Sequence, residues 1–163
     1  MRTEARSRVE RSAVGELTQA ECQEYLASAS MGRVAWSVGT VQHILPVSYA
    51  MHVGQVVFRT SPYGTLAHLE RPTPVAFEID AVDRVAGTGW SVVVQGRAQA
   101  VLLSQVLTDL WARGDIVPWA PATRNVFISI TPHTISGRRV RAPFAGLPTL
   151  SHVHPSYDEE MPS

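Results

Sequence analysis

The sequence predicts a mainly β protein: six antiparallel strands in a closed or nearly closed barrel, accompanied by two or three short helices. Three observations carry that expectation. From Val34 onward, apolar residues alternate with polar ones in run after run, the period of a half-buried strand. Several runs are parted by tight glycine turns, as at Gly39-Thr40 and Val53-Gly54. Successive strands also lack the long crossovers that a parallel sheet requires.

The elements follow in order. The opening residues, 1–15, are polar and without periodicity and read as a loose arm. Thr18-Gln19-Ala20-Glu21 is a capping box, in which threonine and glutamate each satisfy a free amide of the other's turn. It opens a helix carrying Cys22, Tyr25, Leu26 and Ala29 at helical spacing, with Gly32 as its stop. Cys22 belongs on its inner face. Val34, Trp36 and Val38 mark the first strand. Val41 to His52 is the second, and it contains Pro46, which has no amide hydrogen; there the strand is at an edge, bulged or opened. Gln55 to Thr60 is the third strand. The turn Ser61-Pro62-Tyr63-Gly64 then leads into a short helical stretch through Thr65, Leu66, His68 and Leu69.

Pro74 to Val82 reads as the fourth strand, with Val75, Phe77 and Ile79 on one face and Glu78 and Asp80 on the other. After Gly87-Thr88-Gly89, Trp90 to Val101 is a long fifth strand. Ser104 to Trp111 fits a helix whose Val106, Leu107, Leu110 and Trp111 share a side. A loop holding Pro118, Trp119 and Pro121 precedes the sixth strand, Asn125 to about Val140. Residues 142–163 are rich in proline, serine and acid and read as a tail, leaving one domain over residues 16–141.

Composition narrows the function classes. The 163 residues suit a single domain, and 45% hydrophobic against 17% charged residues is enough to build a core. Fourteen basic residues balance fourteen acidic ones, so no charge excess points to nucleic acid or an anionic membrane. All the bases are arginine, which excludes lysine Schiff-base chemistry and a P-loop lysine. The single cysteine, Cys22, excludes an intrachain disulfide and a CxxC pair. With no secretory signal and no apolar run of membrane length, a cytoplasmic location is expected. The six histidines make neither an HExxH nor a three-ligand spacing, so no metal site is expected. Ser48, Ser61 and Ser91 lack a G-x-S-x-G elbow, which sets aside a serine hydrolase. Glu78 and Asp80, on one strand face, are either a general-acid pair or a solvated edge.

Three segments carry the remaining chemical signal. Phe58 to Leu66 runs off a strand, through a turn rich in hydroxyls, into a helix start; Arg59 adds a forked cation, a combination that suits a phosphate monoester. The same serine and threonines are equally ordinary capping residues. Gly89-Trp90-Ser91-Val92-Val93-Val94-Gln95-Gly96-Arg97-Ala98 reads as a barrel strand with a bulge at its glycine. Ile130 to Arg139 ends in two arginines that point to opposite faces, so one of them at most aims at a given site.

Taken in order, these segments resemble the pyridoxamine 5'-phosphate oxidase-like FMN-binding split barrels, in the short actinobacterial-type branch related to nitroimidazole-resistance proteins. The resemblance runs through Gly32-Arg33-Val34-Ala35, Leu45-Pro46-Val47-Ser48-Tyr49, Val57-Phe58-Arg59-Thr60 and Val75 to Asp80. It continues through Thr88-Gly89-Trp90-Ser91-Val92, Pro118-Trp119-Ala120 and Ser136-Gly137-Arg138-Arg139-Val140, covering about residues 16–141. It implies a homodimer with two FMN sites at the subunit interface. Backbone of Pro46, Val47, Ser48 and Tyr49 would lie beside the isoalloxazine. Arg59, Thr60 and Ser61 would hold the ribityl phosphate, with Thr65 and Leu66 in the following turn. Ser91 and Val92 would run along the flavin where the true oxidases place a glutamine. Arg138 of the second copy would reach across the interface, and Trp119 would close over the ring.

One departure stands out. In the relatives the turn usually reads Arg-Thr-x-Pro-Gly-x-Lys-Leu; here Tyr63 falls on the glycine and Thr65 on the lysine. A lost phosphate cation removes a charge-assisted hydrogen bond, worth roughly 1.5–3 kcal/mol or about ten- to a hundredfold in affinity. The residues with which a dedicated pyridoxamine phosphate oxidase holds its substrate phosphate are not evident, so that activity is not expected. The expectation is a flavin-dependent oxidoreductase passing hydride or electrons from a nicotinamide donor to a small conjugated or nitroaromatic substrate. Its catalytic side chains are not identified, because the flavin carries the chemistry. The alternatives are a deazaflavin reductase, whose anionic tail would use Arg33, Arg59 and Arg71, and a non-catalytic ligand-binding module. Haem, bound by some split-barrel relatives, is a lesser cofactor possibility.

Overall fold

A computed structural model describes residues 13–118 and 124–141. The elements in order are β1 (Ala13–Glu16), α1 (Gln19–Ser28), β2 (Met31–Val38), β3 (Val41–His52), β4 (Gln55–Thr60), a 3-10 helix (Thr65–Glu70), β5 (Thr73–Asp83), β6 (Thr88–Ala100), α2 (Ser104–Arg113) and β7 (Val126–Arg141). Trp119, Pro121 and the tail lie outside the described residues, as do the first twelve residues of the arm.

The antiparallel sheet runs β1-β7-β4-β3-β2-β5-β6, and β6 pairs back onto β7, so β2 to β7 close a six-stranded barrel. The long β7 makes closure possible. Its first half pairs with β4 from Val126 to Ile130, while β6 follows it along nearly its whole length. The β6–β7 register shifts between Gln95 and Gly96, leaving His133 as the extra residue of a bulge. Gly96 is required at that bend, because a Cβ there would lie 2.3 Å from the Thr131 carbonyl oxygen.

Residues 13–15, expected as part of the loose arm, lie in a strand. Ala13–Glu16 pair with Arg141 to Arg138 as a seventh strand outside the barrel closure. Four residues of mixed character carry no pattern of their own; the partner strand supplies the order. A second correction concerns Gly32. The helix already ends at Ser28, where Ala29 turns extended and its N–H donates to the Tyr25 carbonyl at 3.1 Å. Gly32 lies inside β2, where a Cβ would sit 2.2 Å from the Phe77 ring, so it is a packing glycine.

Alternation sorts the side chains as the sequence implies. Val34, Tyr49, Phe58, Phe77, Ile79, Val92, Val94, Ile128 and Ile130 fill the barrel, and Cys22 and Leu26 of α1 pack into the same cluster. α1 is fixed by its capping box, with Glu21 accepting from the Thr18 N–H at 2.7 Å, and by the buried Tyr49 hydroxyl, which donates to the Leu26 carbonyl at 2.7 Å. A second apolar cluster, Val57, Leu110, Ile116 and Phe127, lies outside the barrel wall between β4, β7 and α2. No helix among the described residues is long and apolar enough to cross a membrane.

Candidate functional site

The expected site residues fall on two parts of the barrel wall. At one, β3 and β4 run side by side with Tyr49 opposite Phe58. Val47 and Tyr49 point into the core and can offer a ligand only their backbone. Pro46 and Ser48 face outward. Pro46 sits opposite Arg33, in the part of β3 that precedes the β3–β4 register, where a strand without an amide hydrogen is tolerated. Ser48 Oγ lies 3.2 Å from the Met31 sulfur.

Arg59 is half-buried and strongly engaged. Its Nε donates to the Arg124 carbonyl at 2.8 Å and its Nη1 to the Ile116 carbonyl at 3.4 Å. The guanidinium lies 4.3 Å over the centre of the Trp111 ring, a cation–π contact. Burial lowers its pKa, though a guanidinium stays charged. Arg59 thus ties β4 to α2 and the following loop; of its five N–H groups, two make these bonds. Thr60 is buried, and its hydroxyl faces the Ser61 carbonyl at 3.4 Å. Ser61 Oγ accepts from the Tyr63 N–H at 3.3 Å, an ordinary turn bond. Leu66 is core, whereas Thr65 is exposed.

The other part is the open outer face of β5, β6 and the second half of β7. Ser91 pairs with Asp80 on one side and Arg138 on the other. Val92 is fully buried opposite Gly137 and contributes only backbone to this face. Gly137 is required because a Cβ there would meet Cys22 Sγ and Leu17, each at 2.7 Å. Two clefts, of about 420 and 570 Å³, meet at Ser91 and Arg138. The first is walled by Val82, Arg84, Trp90 and Val140, and the second by Val14, Val93 and Ile135. Arg138 is exposed and makes no ion pair among the described residues. Its neighbour Arg139 points the other way, to Glu21.

Glu78 and Asp80 resolve as the outer edge of this face. Arg33 Nη1 reaches Asp80 at 2.6 Å and Glu78 at 3.2 Å, and the hydrogen bond to Asp80, before other causes, raises the guanidinium's pKa. The pair is a salt-bridge rim, so it is not a free general acid. Cys22 is buried, and burial first, then the nearby Glu21 charge, pushes its thiol up, away from nucleophilic character. No group of three histidine, cysteine, aspartate or glutamate side chains that could hold a metal stands among the described residues.

The structure therefore joins Ser91 to Arg138 and places Ser48 on a strand next to Arg59, but it separates the two pairs. β4 pairs with β7 only at Val126–Ile130, and Arg138 lies further along that strand than Phe127, the partner of Arg59, by eleven residues (138 − 127), up to roughly 36 Å at about 3.3 Å per residue. Sequence reasoning missed Arg84 and Val140 as walls of the cleft. The signal for them is the β5–β6–β7 register, which no local pattern encodes.

The comparisons with known proteins agree with this architecture. Residues 18–139 match the family described as pyridoxamine 5'-phosphate oxidase. An uncharacterised protein of Mycobacterium tuberculosis is 30% identical over 134 residues, 79% of this chain and 87% of that protein. The FAD-binding protein of Mycobacterium smegmatis is 31% identical, with a TM-score of 0.69 over 78% of this chain and 98% of that one. A Bacteroides thetaiotaomicron structure assigned to 5-nitroimidazole antibiotic resistance shares the fold at 8% identity, with a TM-score of 0.60 over 78% of this chain and 89% of that one.

Proposed function

The chain belongs to the pyridoxamine 5'-phosphate oxidase family, and from that premise we propose that it is a flavin-dependent oxidoreductase built from two copies of the barrel. One observation carries the reading: an exposed arginine, Arg138, unpaired among the described residues, stands where two clefts meet on the open outer face. The likeness to an FAD-binding protein at 31% identity supports a flavin as its ligand.

The residues present fit such a ligand. Val93 and the backbone at Val92 and Gly137 give a floor against which a flat ring can lie, and the Ser91 hydroxyl and Arg138 guanidinium stand ready for its polar edge. Arg59 retains N–H groups beyond the two engaged by carbonyls, and Ser48 lies on the adjoining strand. Because Arg59 and Arg138 stand toward opposite ends of the long β7, a ligand touching both is held between one copy's Arg59 corner and the other copy's Arg138. When bound, a flavin supplies the hydride or electron transfer. The protein's part is to orient the ring, to hold its anionic tail and to leave one ring face open to a small conjugated or nitroaromatic substrate. A nicotinamide serves as reductant, and the cytoplasm as the place of action.

The test is a visible spectrum of the purified protein after incubation with FMN or FAD and gel filtration, followed by addition of NADH or NADPH and a nitroaromatic. A flavin band that co-elutes with a dimer and bleaches on reduction supports the reading. Protein that stays colourless with both flavins overturns it. The internal engagement of Arg59, with Thr65 at the lysine position, favours one second reading: a barrel that binds a ligand without turnover. A bound flavin that no nicotinamide reduces would select it.

A further inference from the structure

We infer that the chain carries a second small-molecule site, apart from the open face, and that this site takes a small organic amine with an apolar body. The site is a cleft of about 340 Å³ on the outer wall of the barrel, beside the start of α2, with Ser129 and Glu70 in its lining.

The observation that points to a ligand is Ser129. Two polar side chains are buried among the described residues, Thr60 and Ser129. The Thr60 hydroxyl faces the Ser61 carbonyl at 3.4 Å. Ser129 is 5% exposed, yet its hydroxyl makes no hydrogen bond among the described residues. A buried hydroxyl without a partner costs stability, and an alanine would occupy the place without that cost. The surroundings give the fold no use for a polar group there. Ser129 stands between Val57 of β4 and Gln99 of β6, and Phe127, two residues earlier on the same outer side, is sealed in the apolar cluster with Leu110 of α2. Ser129 instead opens on the cleft, where a ligand can supply the missing partner.

Charge decides the class of ligand. The titratable side chains in the lining are His52 and Glu70. The His52 Nδ1 lies 3.2 Å from Arg113 Nη1, and Arg113 is itself bridged to Asp115 at 2.6 Å. Glu70 is half-buried and makes no hydrogen bond or ion pair among the described residues. A carboxylate in that setting favours a cation that also donates hydrogen bonds. An ammonium group has three donors, enough for the Glu70 carboxylate and the Ser129 oxygen together.

The apolar lining sets the body of the ligand. Val57 and Val106 form part of the wall, and Leu102 and Leu103, 82% and 71% exposed, leave apolar surface in water until something covers it. A cleft of this volume stands at the small end of ligand pockets and suits a body of about one ring.

The test is a calorimetric titration of the full chain with phenethylamine, set against 2-phenylethanol and phenylacetate, which have bodies of similar size with no charge or the opposite one. It is repeated on Glu70→Gln and Ser129→Ala. The amine is expected to bind about tenfold or more tighter than either comparison compound. Glu70→Gln should remove that preference. Ser129→Ala should weaken amine binding by about three- to tenfold, while Tm stays level or rises. A Tm that falls in Ser129→Ala with amine affinity unchanged assigns the hydroxyl to the fold through bound water, and overturns the inference. Tightest binding of phenylacetate, an amine affinity indifferent to Glu70→Gln, or no saturable heat from the amine at millimolar concentration each overturns it as well. The flavin reading stands or falls separately, because Ser129 lies on the first half of β7 and Arg138 on the second.

Discussion

The barrel has two outer faces with opposite fates. Over β4 and the first half of β7, α2 lies on the wall and seals Leu110, Ile116 and Phe127 against Val57. Over the outer side of β6 and the second half of β7 no helix lies among the described residues, and two clefts remain. Each face presents an arginine. Arg59 on the covered face is bonded to two carbonyls and stacked on Trp111, whereas Arg138 on the open face is exposed. The same residue type thus serves the fold where it is enclosed and stays exposed where it is not. What separates the cases is the neighbouring helix, not the strand that carries the arginine.

Substitutions on the two faces should separate stability from binding. The largest stability loss is expected from Leu110→Ala, 2% exposed beneath α2, which leaves a cavity between helix and wall. It should cost about 2–5 kcal/mol, at about 2–4 °C of Tm per kcal/mol. Arg59→Ala comes next, since it removes two charge-assisted bonds and a cation–π contact and leaves two carbonyls without this donor. A loss of about 1.5–3 kcal/mol in chemical denaturation is expected. If that variant keeps wild-type stability, the contrast between the arginines fails.

Arg138→Ala should do the reverse. Stability should stay within about 0.5 kcal/mol of wild type, and flavin affinity should fall about ten- to a hundredfold in titration. The smallest effect concerns the link between β7 and α1, where Arg139 meets Glu21. Glu21 is held down to about 2, first by the Thr18 N–H and then by Arg139, so its folded pKa lies below the unfolded value of 4.5. Its contribution is therefore present above pH 4.5 and is lost as the pH falls toward 2. Glu21→Gln should flatten that stretch of a Tm-against-pH curve by lowering it slightly near pH 7, where the wild type holds the full contribution, and leave its acid end near pH 2 almost unmoved.

Much of the fold was legible because alternation is local information. Val75, Phe77 and Ile79 against Glu78 and Asp80 announced both a strand and its inner face, and Thr18 to Glu21 announced where α1 begins. β1 was not legible, since its order is imposed by residues 138–141 from the far end of the chain. Gly32 was misread for a related reason: a glycine near a helix end resembles a stop until the Phe77 ring is seen beneath it. At the site, the resemblance named Ser91 and Arg138 separately, but their adjacency is a register fact. The engagement of Arg59 could not be read either, because it depends on carbonyls at 116 and 124, folded back by α2.

The position of β7 in the chain has a consequence for synthesis. β4 and β6 each need β7 to cover one side, yet β7 is made after every other strand among the described residues. As the chain leaves the ribosome at about 5–20 residues per second, the ladder groups of Gln55–Thr60 and Thr88–Ala100 wait several seconds for their partner. During that interval the nascent chain carries two bare edges rich in valine, the kind of edge that pairs with neighbouring chains. Final closure is thus a late, long-range event, and a nascent chain cut short before Val126 would be a natural client for chaperones.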